Sequence, residues 1–270
     1  MFKFYLLLIS FIFLFSCSQT KDSDREKKDV FTSTYAPKDS GHLLIRGGNI
    51  LTGTEEELIN HDILIFDNKI QELGKSLDEP ENALIIEAKG RWITPGIIDI
   101  HSHMGVYPSP SLRSNSDGNE STDPVTPHVW AEHSFWTQDT QIPLALKGGV
   151  TTFHVLPGSA NLFGGRGVTL KNIWSKSVQG MKFPDAPYTL KMACGENPKR
   201  VYGSSRQPAT RMGSVAGYRE AWIKAKEYQN DGKSRDLKLD TLKGVLDGEI
   251  LIQNHCYRGE ERLVMMDIAK

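Results

Sequence analysis

Residues Pro95 to His103 read Pro-Gly-Ile-Ile-Asp-Ile-His-Ser-His. An apolar run leads into two histidines spaced i and i+2. On a β-strand, alternate side chains share a face, so His101 and His103 can point the same way at the strand's end. Two imidazoles aimed together at the mouth of a buried strand are half of a divalent metal site. Met104-Gly105 and a Pro/Ser-rich loop follow, placing the pair where strand gives way to loop. The run Gly96-Ile97-Ile98-Asp99-Ile100 reads as a buried parallel strand, which sets this pair apart from a fortuitous His-x-His in a surface turn.

The elements that must hold this pair fall into two patterns. Before Pro95, short strands alternate with turns. Leu43–Leu51 is a strand broken by Gly47-Gly48, and His61–Phe66 runs through Asp67-Asn68 into a tight hairpin. Ala83–Glu87 adds a further strand. The expectation is the N-terminal part of a small β-sandwich-like domain over residues 41–94. From Pro95 on, strands alternate with helices. The strands are Ile97–His103, Val150–Leu156, Val168–Leu170, Tyr188–Ala193 and Ile250–His255. The helices are Gln141–Lys147, Val215–Tyr228 and Leu237–Leu246. Val215, Tyr218, Trp222 and Ala225 fall on one helical face. This is βα order, whose most populated enzyme form is the (β/α)8 barrel. The fold class expected is α/β, with about five βα units of a TIM barrel over residues 95–270.

The front of the chain sets its destination. Tyr5–Phe15 is apolar apart from Ser10, too short for a membrane span of about 20 residues and the size of a signal-peptide core. Leu14-Phe15-Ser16-Cys17 resembles a bacterial lipobox, so residues 1–17 are expected to be a lipoprotein leader and Cys17 the lipidated residue. Residues 18–40 are polar and charged and read as a flexible tether. Cys17 has no aspartate after it, which favours the outer membrane of the cell envelope. A net charge of −1 with interspersed signs gives no hint of nucleic acid. Cys194 and Cys256 either pair in that oxidising compartment or stay as buried thiols.

With these motifs in view, the chain resembles the amidohydrolase superfamily in its imidazolonepropionase-like and dipeptidase-like branch. The resemblance rests on the Gly-Gly hairpin region, Ile93–His103, Gly148-Gly149-Val150-Thr151-Thr152, Pro157–Asn161 and His255-Cys256-Tyr257-Arg258. It implies a site in which His101 and His103 are joined by His255 from strand five. A carboxylated lysine or a glutamate at the end of strand four completes it in some members. Lys191 is the better-placed candidate, since a lysine in an apolar strand is costly unless paired or neutralised, and Glu196 is its rival. The implied cofactor is a divalent metal, most often zinc, as one or two ions. The implied chemistry is hydrolysis of carbon–nitrogen bonds in a small-molecule or dipeptide-like substrate. The strand-six histidine and strand-eight aspartate of the family are not in this chain. The stretch from Pro95 to Lys270 is shorter than a barrel of about 250 residues. The expectation is therefore an N-terminal portion of a longer enzyme, inactive alone. A surface lipoprotein that keeps the fold as a binding scaffold is the alternative.

Other residues carry weaker signals. His128 and His133 flank Trp130 in a long loop and read as a substrate wall or as loop packing. His154 reads as barrel packing or as support for the metal ligands. Asn161–Gly167 lacks the lysine-serine ending of a phosphate loop and reads as a flexible loop over the active face. Arg166 and Arg258 are candidates to meet a substrate carboxylate.

Overall fold

A computed structural model describes residues 31–229 and 234–270. Cys17 and the leader lie outside the described residues, as does the tether up to residue 30. Ser33–Lys270 form one compact unit. The described end of the tether region is tied down: Thr34 N donates to Gln179 O (3.0 Å) and Ser33 Oγ to Lys182 O (2.6 Å). Among the described residues, no helix is long and apolar enough to cross a membrane.

Strands β1 (His42–Leu51), β2 (Glu57–Phe66), β3 (Lys69–Gly74), β4 (Leu84–Glu87) and β5 (Trp92–Ile93) form one sheet, ordered β3-β2-β1-β4, with β5 also on β1. Asp67 and Asn68 both take positive φ (49° and 60°), the geometry a two-residue hairpin needs between twisted strands. Gly47-Gly48 does not break β1 as the sequence suggested. It is a bulge: the register slips between Ile45 and Gly48 while the strand continues. Gly47 takes a φ of +69°, and its N–H, turned out of the ladder, is satisfied by the buried Asp62 carboxylate at 2.7 Å.

The second sheet contains β6 (Ile97–Ser102), β7 (Val150–Val155), β8 (Phe163–Lys171), β9 (Thr189–Ala193) and β10 (Leu251–His255), ordered β10-β9-β8-β7-β6. Around it lie α1 (Gln141–Lys147), α2 (Glu196–Tyr202), α3 (Arg211–Glu227), α4 (Leu237–Leu246) and α5 (Gly259–Ile268). The βα alternation holds only in part. β6 runs parallel to β7 and β9 to β10, but β8 is antiparallel to both neighbours. A parallel crossover needs a dozen or more residues, and the loop from Leu156 to Leu162 is too short for one. The chain turns back there, with no helix on either side of β8.

The glycine-rich run also differs from expectation. Phe163–Gly167 is part of β8 and mostly buried, not a loose loop. Leu190 and Met192 pack toward Tyr218 of α3 and Leu242 of α4. By strand alternation, Thr189 and Lys191 face the other way. Asp236 caps α4 by accepting from Lys238 N (2.8 Å) and Leu239 N (3.1 Å), and Thr210 caps α3 from Gly213 N (3.0 Å). These helices hold the back of β9 and so fix the direction in which Lys191 points.

Candidate metal centre

The C-terminal ends of β6, β9 and β10 carry the residues singled out from the sequence. His101 lies in β6 and His103 just beyond it, with ring centroids 5.2 Å apart. Lys191 reaches across from β9, and its Nζ lies 3.1 Å from His101 Nε2. His255 ends β10, where Cys194 N donates to its carbonyl (2.9 Å). Glu196, the rival to Lys191, is exposed at the start of α2.

Each imidazole has its own support. His103 Nδ1 lies 2.8 Å from Leu156 O. A carbonyl only accepts, so Nδ1 carries the proton and the neutral ring presents a bare Nε2. This is the arrangement by which metal-ligating histidines are usually oriented. His255 Nε2 is buried without a hydrogen-bond partner. His154 of β7 is held on both sides, Nδ1 by Thr169 Oγ1 (2.9 Å) and Nε2 by Thr189 Oγ1 (2.6 Å). It buttresses the site.

The electrostatics are one-sided. Lys191 is 1% exposed, and burial pushes its pKa down to about 8. Burial lowers His101, His103 and His255 as well, with the Lys191 charge adding to the effect on each. His154 is pushed down to about 4, by burial first and then by His101 and Lys191. Lys191 is thus the hub of the cluster, and among the described residues no carboxylate pairs with it.

The basic groups do not close on a point. Among the described residues, one group of three His, Cys, Asp or Glu side chains has its ligand atoms all within 4.8 Å, and it is Cys194, Cys256 and Glu261. The histidines are spaced more widely. Zinc held about 2.0–2.1 Å from each nitrogen would require the rings to swing inward. The donor chemistry fits a divalent ion all the same. It offers an orphaned buried imidazole nitrogen, a second imidazole with its Nδ1 anchored, and a buried amine lacking a counter-ion.

Cys194 and Cys256 are joined as a disulfide, which resolves the choice between pair and thiols. The bridge ties the residue after β9 to the residue after β10, directly beneath Lys191 and His255 in the chain. Glu261 secures the next turn by accepting from Tyr257 N and Arg258 N (both 3.2 Å) and from Arg211 Nε (2.6 Å). Sequence reading missed Glu261, and its spacing from Arg258 in a capping box was the available signal. The Arg166 guanidinium lies 4.3 Å from the Trp130 ring centroid, and its Nε donates to Thr241 Oγ1 (2.9 Å). His133 stacks on the same Trp130 at 5.2 Å, and His128 lines a neighbouring pocket.

No family model matches the chain. It is 34% identical over 237 residues to amidohydrolase tasK of Hapsidospora irregularis, covering 76% of this chain and 24% of that protein. A solved amidohydrolase from Thermotoga maritima MSB8 superposes with a TM-score of 0.77 at 37% identity, over 84% of this chain and 61% of that one. Homologue and structural neighbour alike support the amidohydrolase superfamily. A 5-methylthioadenosine/S-adenosylhomocysteine deaminase of Thermococcus onnurineus is 31% identical over 120 residues, 41% of this chain and 27% of its own length. The chain spans about a quarter of the length of these two curated relatives.

Proposed function

We propose that the protein is a metal-dependent hydrolase of carbon–nitrogen bonds, with zinc as the metal and His101, His103, His255 and Lys191 as the groups that hold it. The observation that carries this reading is Lys191, buried with its amine 3.1 Å from His101 Nε2 and no carboxylate to balance it. Similarity to an amidohydrolase of solved structure and to tasK supports the same reaction class. In this reading the five strands β6–β10 correspond to the first five of a (β/α)8 barrel, the third of them reversed.

Bound between these groups, a divalent ion supplies Lewis acidity that brings the pKa of water toward about 7 and polarises a scissile carbonyl. The chain's own residues prepare the site. His103, with Nδ1 donating to Leu156 O, directs a lone pair from Nε2. His154, locked between two threonine hydroxyls, stays neutral and fixes the floor. Lys191, its pKa lowered by burial to about 8, is neutral in about a tenth of chains at pH 7, far more than an ordinary lysine. This is the form that takes up carbon dioxide as a carbamate, releasing a proton to solvent. That product turns an uncompensated cation into an anionic ligand.

The substrate belongs to the cyclic-amide, dipeptide or deaminase-type classes. The proposed setting is the cell envelope, with Cys17 lipidated and residues 18–40 linking the anchor to the folded part. The apolar run Tyr5–Phe15 and Leu14–Cys17 support this. The test is zinc uptake by this chain with bicarbonate present, and turnover of a panel of hydantoins, dihydropyrimidines, dipeptides and aminopurines by the longer enzyme expected from the sequence. Zinc uptake by the chain and product release by the longer enzyme, both lost in His255→Ala and Lys191→Met, are expected. No zinc uptake by the chain, or uptake untouched by both substitutions, would overturn the reading.

A further inference from the structure

A pocket of about 410 Å³ opens beside the histidine and lysine cluster. It shares walls with that cluster at two points. Gly164 lines the pocket, and a side chain there would meet Lys191 Cγ at 3.6 Å and Gly158 O at 3.3 Å, so the lysine stem runs directly behind the wall. On the other side, Asn119 Nδ2 donates to Tyr107 OH, and the Tyr107 ring stands edge-on to His103 at 5.9 Å. A molecule in the pocket is therefore a near neighbour of the basic groups.

The polar groups facing this space are unequal in sign. Asn119 is held at both ends, its Oδ1 accepting from Ala160 N (3.1 Å) and its amide donating to Tyr107 OH. The Gly118 carbonyl is taken by Gly158 N at 2.7 Å. The remaining polar lining is the Asp117 carboxylate, the outer oxygen of Glu120 (Oε1 accepts from Thr122 Oγ1 at 2.7 Å), His128, whose Nδ1 is buried without a partner, and the neutral hydroxyls of Ser116 and Ser134, with His133 stacked on Trp130. No lysine or arginine lines the pocket, and neither carboxylate is ion-paired among the described residues. Lys238, which bears on His128 from outside, is answered by Asp123 at 3.4 Å. Trp130 gives the pocket one aromatic wall.

We infer that this pocket selects the substrate by a cationic, donor-rich group, an amine or guanidinium set a few bonds from the amide to be cleaved, through Asp117, Glu120 and His128 Nδ1. A pocket lined by two carboxylates and by no lysine or arginine, set beside basic groups, divides the site into two poles. The basic pole takes the carbonyl end of a substrate and the acidic pole its positively charged end. A substrate anion would meet two carboxylates and be excluded. The inference rests on the hydrolase reading for its meaning as a substrate site, but recognition by the pocket is measurable without turnover.

The test is binding by saturation-transfer NMR and calorimetry to the full chain, with three probes of matched length: δ-aminovaleramide (cationic), valeramide (neutral) and glutaramate (anionic). Preference for the cation over the neutral probe is expected at about tenfold, since two exposed carboxylates each contribute up to about fivefold. Asp117→Asn and Glu120→Gln should each reduce it, and the double substitution should abolish it. Equal binding of the three probes, tighter binding of glutaramate, or a preference unchanged in the double variant would overturn the inference. Zinc loading is measured on the same samples. A chain that prefers the cation yet takes up no zinc keeps the pocket's specificity and loses the hydrolase reading.

Discussion

Two lysines are buried among the described residues, and they are treated in opposite ways. Lys182 is 5% exposed, with its Nζ 3.5 Å from Glu132 Oε2 and 4.4 Å from the Tyr188 ring centroid. Tyr188 OH also donates to Glu132 Oε1 at 3.0 Å. Burial raises the Glu132 pKa, and Lys182 opposes that rise. Lys191 is 1% exposed and has an imidazole where Lys182 has a carboxylate. The first lysine is part of a closed polar network that holds the loop after Trp130 against β9. The second is left unbalanced beside three histidines. Under the proposed hydrolase reading, the unpaired lysine is the one kept for chemistry.

The largest effect that separates them is on stability. Lys182→Met leaves the Glu132 carboxylate buried without its cation and should cost about 3–5 kcal/mol. Lys191→Met removes a buried charge that has no counter-ion and should cost nothing, or stabilise the chain. Urea unfolding of both variants reads the contrast, and equal losses would dissolve it. Next comes the disulfide, which closes a loop of 62 residues between the strand ends under Lys191 and His255. Cys256→Ser should lower stability by about 2–4 kcal/mol on the same assay. A negligible change would mean that the strand ends are held by β9–β10 pairing alone.

The pH dependence sharpens the comparison further. The folded pKa of Lys191, about 8, lies below the ordinary 10.5, so between these values the unfolded chain binds more protons. Stability of the metal-free chain should therefore rise with pH through that window. Wild type should gain about 2 kcal/mol relative to Lys191→Met between about pH 7.5 and 9.5. Parallel pH profiles for the two proteins would show that Lys191 is not depressed.

Much of the site was legible because its signal is local. Lys191 breaks an apolar strand that is buried as read, so its burial and direction follow from alternation. His101 and His103 follow an apolar strand that was read as buried but is exposed, with Ile97 at 52%, Ile98 at 62% and Ile100 at 67%. Among the described residues, no helix or strand covers that edge of the sheet. The reversal of β8 was not legible in the same way. Parallel and antiparallel strands have similar apolar runs, and only the length of the Leu156–Leu162 connection distinguishes them. Phe163–Gly167 looked like a loop because glycine is poor in strands. Its strand state is decided by neighbours distant in sequence, with Gly165 lying under the Val129 carbonyl and Gly164 against Lys191. The anchor for His103 is a backbone carbonyl 53 residues away, for which no side-chain type gives a signal. The Cys194–Cys256 pairing depends on β9–β10 register, which neither apolar run reveals alone.

The central claim is that the groups at residues 101, 103, 191 and 255 act together on one divalent centre. Its most direct test is zinc stoichiometry, measured by competition with a chromogenic chelator and confirmed by elemental analysis, on wild type and on His101→Ala/His103→Ala. At least about one zinc retained by the wild type and none by the double variant is the expected result. Equal retention by both proteins, or none by either in the presence of bicarbonate, would contradict it.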